Sequence, residues 1–207
     1  MVNPYSGKKK GELVANKAKS LLEESGIEVV VYRSSHPGHL IELAANIEPD
    51  ENDVFAVVGG DGSMSEVITG RMRGKEDCEP PLVAFIPAGT GNSHAYDLKI
   101  EGVEDAVSRI VSGRVQMLDI SRVVLTEGLP GFEKGEMTWY SHNLVTWGLG
   151  IDSNLIAEKI RFLGPIRYDV GIVISILLNR RRHAKLILDG HTMDSDFTLF
   201  LIQNTQT

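Results

Sequence analysis

Little in this chain could staple it, span a bilayer or coat a polyanion. Cys78 is its only cysteine among 207 residues, so no disulfide can form within it. That usage fits a reducing, intracellular setting. The longest apolar run, about Val170 to Leu178, falls well short of the roughly 18 residues a spanning helix needs. No basic-then-apolar leader opens the chain, so no secretory signal is expected. Any membrane contact is therefore expected to be peripheral. The formal net charge of -7 argues against broad binding to nucleic acid, which requires a basic face. Six histidines show no zinc-type spacing, and one cysteine cannot build a thiolate site. What remains is an ordinary globular balance, 42% hydrophobic and 24% charged, with length enough to bury a core.

The first half alternates strand-like and helix-like segments. Glu12 to Ser25 carries helical spacing closed by Gly26, and Ile27 to Tyr32 is a β-branched run that reads as a buried strand. A helix opened by Pro37 runs to Ile47. Strands are expected at Asp53–Val58 and Pro81–Ile86, and helices at Ser63–Met72 and Val103–Val111. This rhythm predicts an α/β domain with a parallel sheet and helices on both faces, residues 1–114. Near residue 115 the pattern changes. Val115–Leu125, Met137–Trp147, Ala184–Leu188 and Asp196–Gln203 read as strands, with a glycine-rich loop at 127–136. Helices are expected at Asp152–Leu163 and Ile166–Asn179, split by Gly164-Pro165. A second, mostly antiparallel β domain is expected over 115–207. The polar loop Asn3-Pro4-Tyr5-Ser6-Gly7 follows only Met1 and Val2, and the last apolar strand runs out into Gln206-Thr207, so the chain reads as a piece of a longer protein.

Two segments carry most of the chemistry. The strand ending at Val58 runs into Gly59-Gly60-Asp61-Gly62 and then a helix. Glycines let backbone N–H groups approach a phosphate, and a helix N-terminus adds the positive end of its dipole. Asp61 in that turn can accept a hydroxyl proton. The same residues also suit a plain capped turn. The turn lacks the Gly-Lys-Ser/Thr ending of a Walker A loop and the glycine spacing of a dinucleotide fingerprint. The arrangement recurs where Ile86 leads into Pro87-Ala88-Gly89-Thr90-Gly91-Asn92. Two such loops after parallel strands would line one crevice at the carboxyl ends of the strands, which makes a phosphate site the expectation.

Three basic elements are more ambiguous. Lys8-Lys9-Lys10 can steer phosphates or simply face solvent. Arg161 and Arg167 flank Gly164-Pro165, so a bend can aim both guanidinium groups at one anion. Arg180-Arg181-Arg182-His183 follows an apolar helix. It suits an anionic membrane surface, but the favoured reading is a buried helix with cations at its C-terminus.

Together these segments resemble the diacylglycerol kinase catalytic domain family, which includes sphingosine kinases, ceramide kinase and bacterial lipid kinases. The matching pieces run in order from Asn3-Pro4 and Ser6-Gly7 through Gly59-Gly60-Asp61-Gly62 with Glu66-Val67 to Pro87–Asn92. Asp119-Ile120, Trp147-Gly148 with Asp152, Glu158-Lys159 with Arg161, Gly164 with Arg167-Tyr168, and Gln203-Asn204 follow. The resemblance implies a nucleotide domain like that of phosphofructokinase and NAD kinase, followed by a β-sandwich domain, with ATP and lipid bound between them. It implies that Asp61 is the general base and that Mg²⁺ is held mainly through the ATP phosphates. It places Asn3, Ser34, Gly60, Gly62, Glu66, Gly89, Thr90 and Gly91 around the nucleotide, and Arg161 and Arg167 on its phosphates. Gly59, Asp152 and Asn154 fall on the lipid side.

Two residues depart from the family pattern. Thr69 stands where asparagine is usual before Gly70, and Asn154 stands where sphingosine kinases have an aspartate for the sphingoid head group. Met64 and the Trp147–Tyr168 segment are more similar to sphingosine and ceramide kinases than to bacterial diacylglycerol kinases. The expected function is ATP-dependent phosphorylation of a lipid hydroxyl, a sphingoid base or ceramide before diacylglycerol. An NAD kinase-like enzyme, which shares the Gly-Gly-Asp-Gly turn, and a catalytically silent nucleotide- or lipid-binding module are the alternatives. The reading carries with it cytoplasmic residence, transient contact with a membrane surface and room for a homodimer.

Overall fold

The computed structural model describes residues 1–73, 81–89, 92–125 and 137–204, apart from the side chains of 161, 162 and 165. They form two compact units, one from Met1 to Asn143 together with Asn204, the other Leu144–Gln203.

The first unit is built on parallel chain segments. β1 (Phe55–Gly59) pairs in parallel with β2 (Val83–Pro87), Phe55 opposite Val83 and Gly59 opposite Pro87. On the other side of β1, Val2 bridges Val58 and then Arg33, both in parallel. The Val2 N–H donates to Tyr32 (2.8 Å) and the Asn3 N–H to Val58 (3.0 Å). Segments 32–34, 1–3, β1 and β2 therefore lie side by side, pointing the same way. Of the strand expected at Ile27–Tyr32, only the last residue is hydrogen-bonded to this array. Val30 stays exposed.

Side chains alternate across this sheet and build two cores. Phe55, Val57 and Phe85 pack with α3 (His39–Asn46) and α4 (Asp61–Met72) around Leu40, Ala44, Met64, Val67 and Ile68. Ala56, Val58 and Ile86 pack with α2 (Gly11–Glu24) and α6 (Val103–Val111) around Ala15, Ala18, Leu22, Ala106 and Val107. The fold is therefore α/β with a parallel sheet covered on both faces. A kinked turn, α1 (Ser6–Lys9), precedes α2, and α5 (Ser93–Asp97) follows β2. The helix expected at Ser63 begins two residues earlier, so Asp61 is itself its first helical residue.

The antiparallel pair β3 (Ser121–Leu125) and β4 (Met137–Ser141) belongs to the first unit, although the sequence reading began its second domain at 115. Thr69, fully buried on α4, explains the attachment: its hydroxyl accepts the Tyr140 N–H (3.0 Å) and donates to the Tyr140 carbonyl (3.4 Å). Threonine in place of asparagine at this position thus serves as a backbone-like partner for β4. The expected long strand from Val115 is paired only from Ser121 onward. The loop at 127–136 lies outside the described residues.

In the second unit, β5 (Leu144–Gly148) pairs antiparallel with β8 (Leu199–Gln203), and Trp147 stacks on Phe200 at 5.0 Å. α7 (Leu149–Lys159), a 3-10 turn at Arg161–Ile166 and α8 (Arg167–Leu178) follow β5. β6 (Arg182–Leu188) and β7 (His191–Phe197) form a hairpin. The two strands expected after α8 are in fact three. Asp189 (φ 48°) and Gly190 (φ 82°) make a left-handed two-residue turn between β6 and β7, for which Asp-Gly is a strong local signal.

Candidate active site

Because the four segments of the sheet run parallel, their polar exits gather on one edge. These are Asn3-Pro4-Tyr5-Ser6 after the first segment, Ser34 after the second, Gly60-Asp61 after β1 and Ala88-Gly89 after β2. The loops touch directly. Asn3 Nδ2 donates to Ser63 Oγ (3.1 Å), while its Oδ1 accepts the Tyr5 N–H (3.1 Å). The Ala88 and Gly89 N–H groups both donate to the Gly59 carbonyl (2.7 and 3.1 Å). Ser34 is buried, and its N–H donates to the Val2 carbonyl (2.9 Å). Glu66 reaches across to accept the Gly38 N–H (3.2 Å).

Two glycines are dictated by closeness. A Cβ on Gly89 would lie 2.8 Å from Gly60 Cα and 2.6 Å from Asn92 Oδ1. Gly7 has φ +56°, and a Cβ there would run into the Ala88 carbonyl. The loops are thus packed backbone to backbone. Gly62 is exposed, with open space at its Cβ position. Thr90 and Gly91 lie outside the described residues.

Asp61 is held firmly at this edge. Its Oδ2 accepts the Ser93 N–H (3.0 Å) and its Oδ1 accepts the His94 N–H (3.2 Å). Each carboxylate oxygen so engaged keeps a second acceptor site. The carboxylate is therefore oriented by main chain and still able to receive a hydroxyl proton. Asn92 braces the same loop by donating to the Gly89 carbonyl (3.1 Å).

Sequence reasoning missed the groups behind Asp61. His94 is buried, with its ring edge-to-face on His142 (centroids 4.6 Å, 80°) and against Phe85 (5.9 Å). His142 is fully buried and its Nδ1 lies 3.2 Å from Ser65 Oγ. Burial, reinforced by His94, pushes the His142 imidazole down to about 4. Burial also lowers His94, opposed by the negative charges of Asp61 and Asp97. Both rings are therefore neutral near pH 7. His94 could have been flagged from its place just after the Pro87–Asn92 loop; His142, 48 residues further on, has no local signal (142 − 94 = 48).

His36, His39 and Glu42 bring ligand atoms within 4.8 Å of one another. The geometry does not suit a cation. The two imidazoles stack at 4.7 Å and 15°, so their lone pairs run side by side instead of converging. The Ser35 N–H donates to His39 Nδ1 (3.0 Å), which fixes the neutral ring's proton on Nε2.

In the second unit the predicted residues are more scattered. Asp152 is paired bidentately with Arg182 (2.8 and 2.9 Å), and these hydrogen bonds hold its carboxyl below the ordinary range. Asn154 is exposed on α7. The bend expected between the two arginines is present: Gly164 adopts φ 63°, ψ −141° inside the 3-10 turn. Arg167 Nη2 donates to the Tyr168 hydroxyl (2.8 Å), and its guanidinium lies 4.7 Å from that ring. The Arg161 side chain lies outside the described atoms. A cleft of about 150 Å³ is lined by Asp152, Leu155, Ile156, Lys159, Leu178 and Arg180.

The expected burial of the apolar helix does not hold. On α8 only Gly171 and Ser175 are buried, while Val173, Ile176, Leu177 and Leu178 are 50% exposed or more. Gly171 and Ser175 are the small residues that let α8 lie against α7; a Cβ on Gly171 would sit 2.6 Å from the Ser153 carbonyl. Val173, Ile176 and Leu177 are consequently left exposed, while Leu178 lines the cleft beside α7. The basic run starts beyond the helix cap at Asn179, not in the last turn. Among the described residues, no helix is long and apolar enough to cross a membrane.

Residues 1–123 match the model of the diacylglycerol kinase catalytic domain. The chain is 26% identical to sphingosine kinase 1 of Arabidopsis thaliana over 196 residues, covering 90% of this chain and 38% of that protein. It is 29% identical to the mitochondrial acylglycerol kinase of Mus musculus over 177 residues, 80% of this chain and 39% of that protein. A diacylglycerol kinase from Bacillus anthracis str. Sterne superposes on the whole chain with a TM-score of 0.68, at 20% identity and over 63% of that chain. This chain thus spans less than half the length of both curated relatives.

Proposed function

The chain belongs to the diacylglycerol kinase catalytic domain family, and from that premise we propose that it carries the phosphoryl-transfer site of a lipid kinase whose acceptor is a sphingoid base or ceramide in preference to diacylglycerol. One observation supports the reading above the others. The Asp61 carboxylate is held by the Ser93 and His94 N–H groups on the edge where the Gly7, Gly60 and Gly89 backbones crowd together. A base and a phosphate cradle are what transfer to a hydroxyl requires.

In this reading Asp61 takes the proton of the lipid hydroxyl as its oxygen attacks. The backbone around Asn3, Gly60, Gly62 and Gly89, with Thr90 and Gly91, receives the nucleotide phosphates, and Ser34 and Glu66 border it. The exposed backbone at Gly62, with open space at its Cβ position, fits such a group, while glycines at 7 and 89 let the flanking loops close on one another. ATP would supply the phosphoryl group, and Mg²⁺ bound to it would reduce repulsion toward the incoming oxygen. Arg161 and Arg167 are assigned to phosphate, and Gly59, Asp152 and Asn154 to the lipid side. The exposed aliphatics of α8, followed by Arg180 and Arg181, suit transient contact with an anionic membrane surface. Cytoplasmic residence belongs to the same reading. A sphingoid acceptor is supported by the likeness to the Arabidopsis thaliana sphingosine kinase.

The test is ³²P transfer from ATP and Mg²⁺ by the intact protein to sphingosine, ceramide, diacylglycerol and monoacylglycerol, with NAD as control. Asp61→Asn is expected to lower kcat by about 10²–10⁴-fold while nucleotide binding persists. Labelled NAD would move the protein to an NAD kinase activity. No transfer by folded, ATP-binding protein would leave a binding module.

A further inference from the structure

Asp61, Ser65, His142 and His94 form a closed circuit. Asp61 and Ser65 are one turn apart on α4 and so share a face. Ser65 Oγ contacts His142 Nδ1 (3.2 Å), the His142 ring meets the His94 ring (4.6 Å), and the His94 N–H returns to Asp61 (3.2 Å). The circuit bridges α4 and α5, which otherwise meet at Asp61 through the Ser93 and His94 N–H groups. His142 is fixed from behind, since Asn204 Nδ2 donates to its carbonyl (3.2 Å).

We infer that His94 and His142 are positioning residues: the neutral, edge-to-face pair seats the start of α5 so that its two N–H groups aim the Asp61 carboxylate. α5 has only five residues and no side-chain cap, so its own hydrogen bonds cannot fix where it begins. The fully buried His142 imidazole provides a surface against which the buried His94 ring of α5 rests. His94 Nδ1 and His142 Nε2 make no hydrogen bond among the described residues. Leaving two buried nitrogens unpaired disfavours folding. The groups facing the pair are Asp61 and Asp97 toward His94, and Ser65 toward His142. Burial lowers both imidazoles, reinforced at His142 by His94 and opposed at His94 by Asp61 and Asp97.

The inference rests on Asp61 as base for its catalytic consequence, but not for its structural one, and the experiment separates the two. Amide exchange is measured at Ser93 and His94 in parent protein, His142→Ala and His142→Phe, with Val57 and Val58 as internal controls. His142→Ala is expected to accelerate exchange at Ser93 and His94 by about tenfold or more without change at the controls. His142→Phe, which keeps the ring, is expected to stay within about threefold of the parent. In the transfer assay, His142→Ala should lower kcat about tenfold or more with KM for ATP within about twofold, and His142→Phe should restore most of it. Ser65→Ala, a milder cut, should move exchange and kcat in the same direction by a smaller factor. Unchanged exchange at Ser93 and His94 in folded His142→Ala or Ser65→Ala would overturn the inference. So would a His142→Phe variant as fast-exchanging as alanine, or a rise in KM for ATP with kcat intact. If Asp61→Asn keeps transfer activity, the base assignment fails, while the exchange measurement still decides the role of the pair.

Discussion

The two units place their chemistry on different foundations. In Met1–Asn143 the candidate site residues are fixed by main chain: Asp61 by two N–H groups, Gly89 by its approach to Gly60, Asn3 by the Tyr5 N–H. In Leu144–Gln203 the corresponding residues stand on side-chain contacts or on none. Asp152 answers to Arg182, Arg167 to Tyr168, and Asn154 is exposed. Apolar side chains divide likewise: Leu40, Val57 and Val67 are sealed inside, while Val173, Ile176 and Leu177 face outward. A site that must hold a small, highly charged group gains from rigid backbone donors. A surface suited to flexible lipid gains from exposed aliphatic side chains.

The sharpest way to break this comparison is to truncate one leucine in each unit. Leu40→Ala, at 1% exposure, is expected to cost about 2–5 kcal/mol, whereas Leu177→Ala, at 78% exposure, should change stability by less than about 0.5 kcal/mol. Leu177→Ala should instead weaken sedimentation with anionic vesicles. Equal stability losses in urea titrations would erase the contrast.

Acid separates the units next. The folded-state pKa of His142, about 4, lies below the ordinary value near 6.5, so between these limits the unfolded chain binds a proton that the folded chain refuses. Stability is therefore expected to be unaffected by this group above pH 6.5 and to fall as pH drops toward 4, by an amount of about 3 kcal/mol. Urea titrations of parent and His142→Phe between pH 7 and 4 measure it, and the parent alone should show this component.

The smallest effect belongs to Asp152→Asn. Its partner Arg182 is 37% exposed and readily solvated, so the cost should be about 1 kcal/mol or less, read as a small fall in Tm that shrinks further in salt. A loss several times larger would mean that the second unit also depends on a rigid polar anchor.

The sequence carried the periodicities from which both classes of element follow, and helix α6 has the predicted bounds. The strands expected at Ile27–Tyr32 and from Val115 were less legible. β-branched composition favours extended chain, but whether it is paired depends on what lies beside it. The α8 expectation failed for a related reason: an apolar run states what a helix prefers to bury, not which side finds a neighbour, and the face of α8 that meets α7 is the small one of Gly171 and Ser175.

By itself, the order of glycines, Asp61 and apolar runs determined an α/β chain with glycine-rich turns after its strands, because turn geometry and side-chain periodicity are local. Only the tertiary structure decided that Ser93 and His94 would grip Asp61, that Thr69 would carry β4, and that His142 would lie behind the site. Those pairings join residues 32 to 77 positions apart, and they depend on which surfaces the parallel sheet brings together.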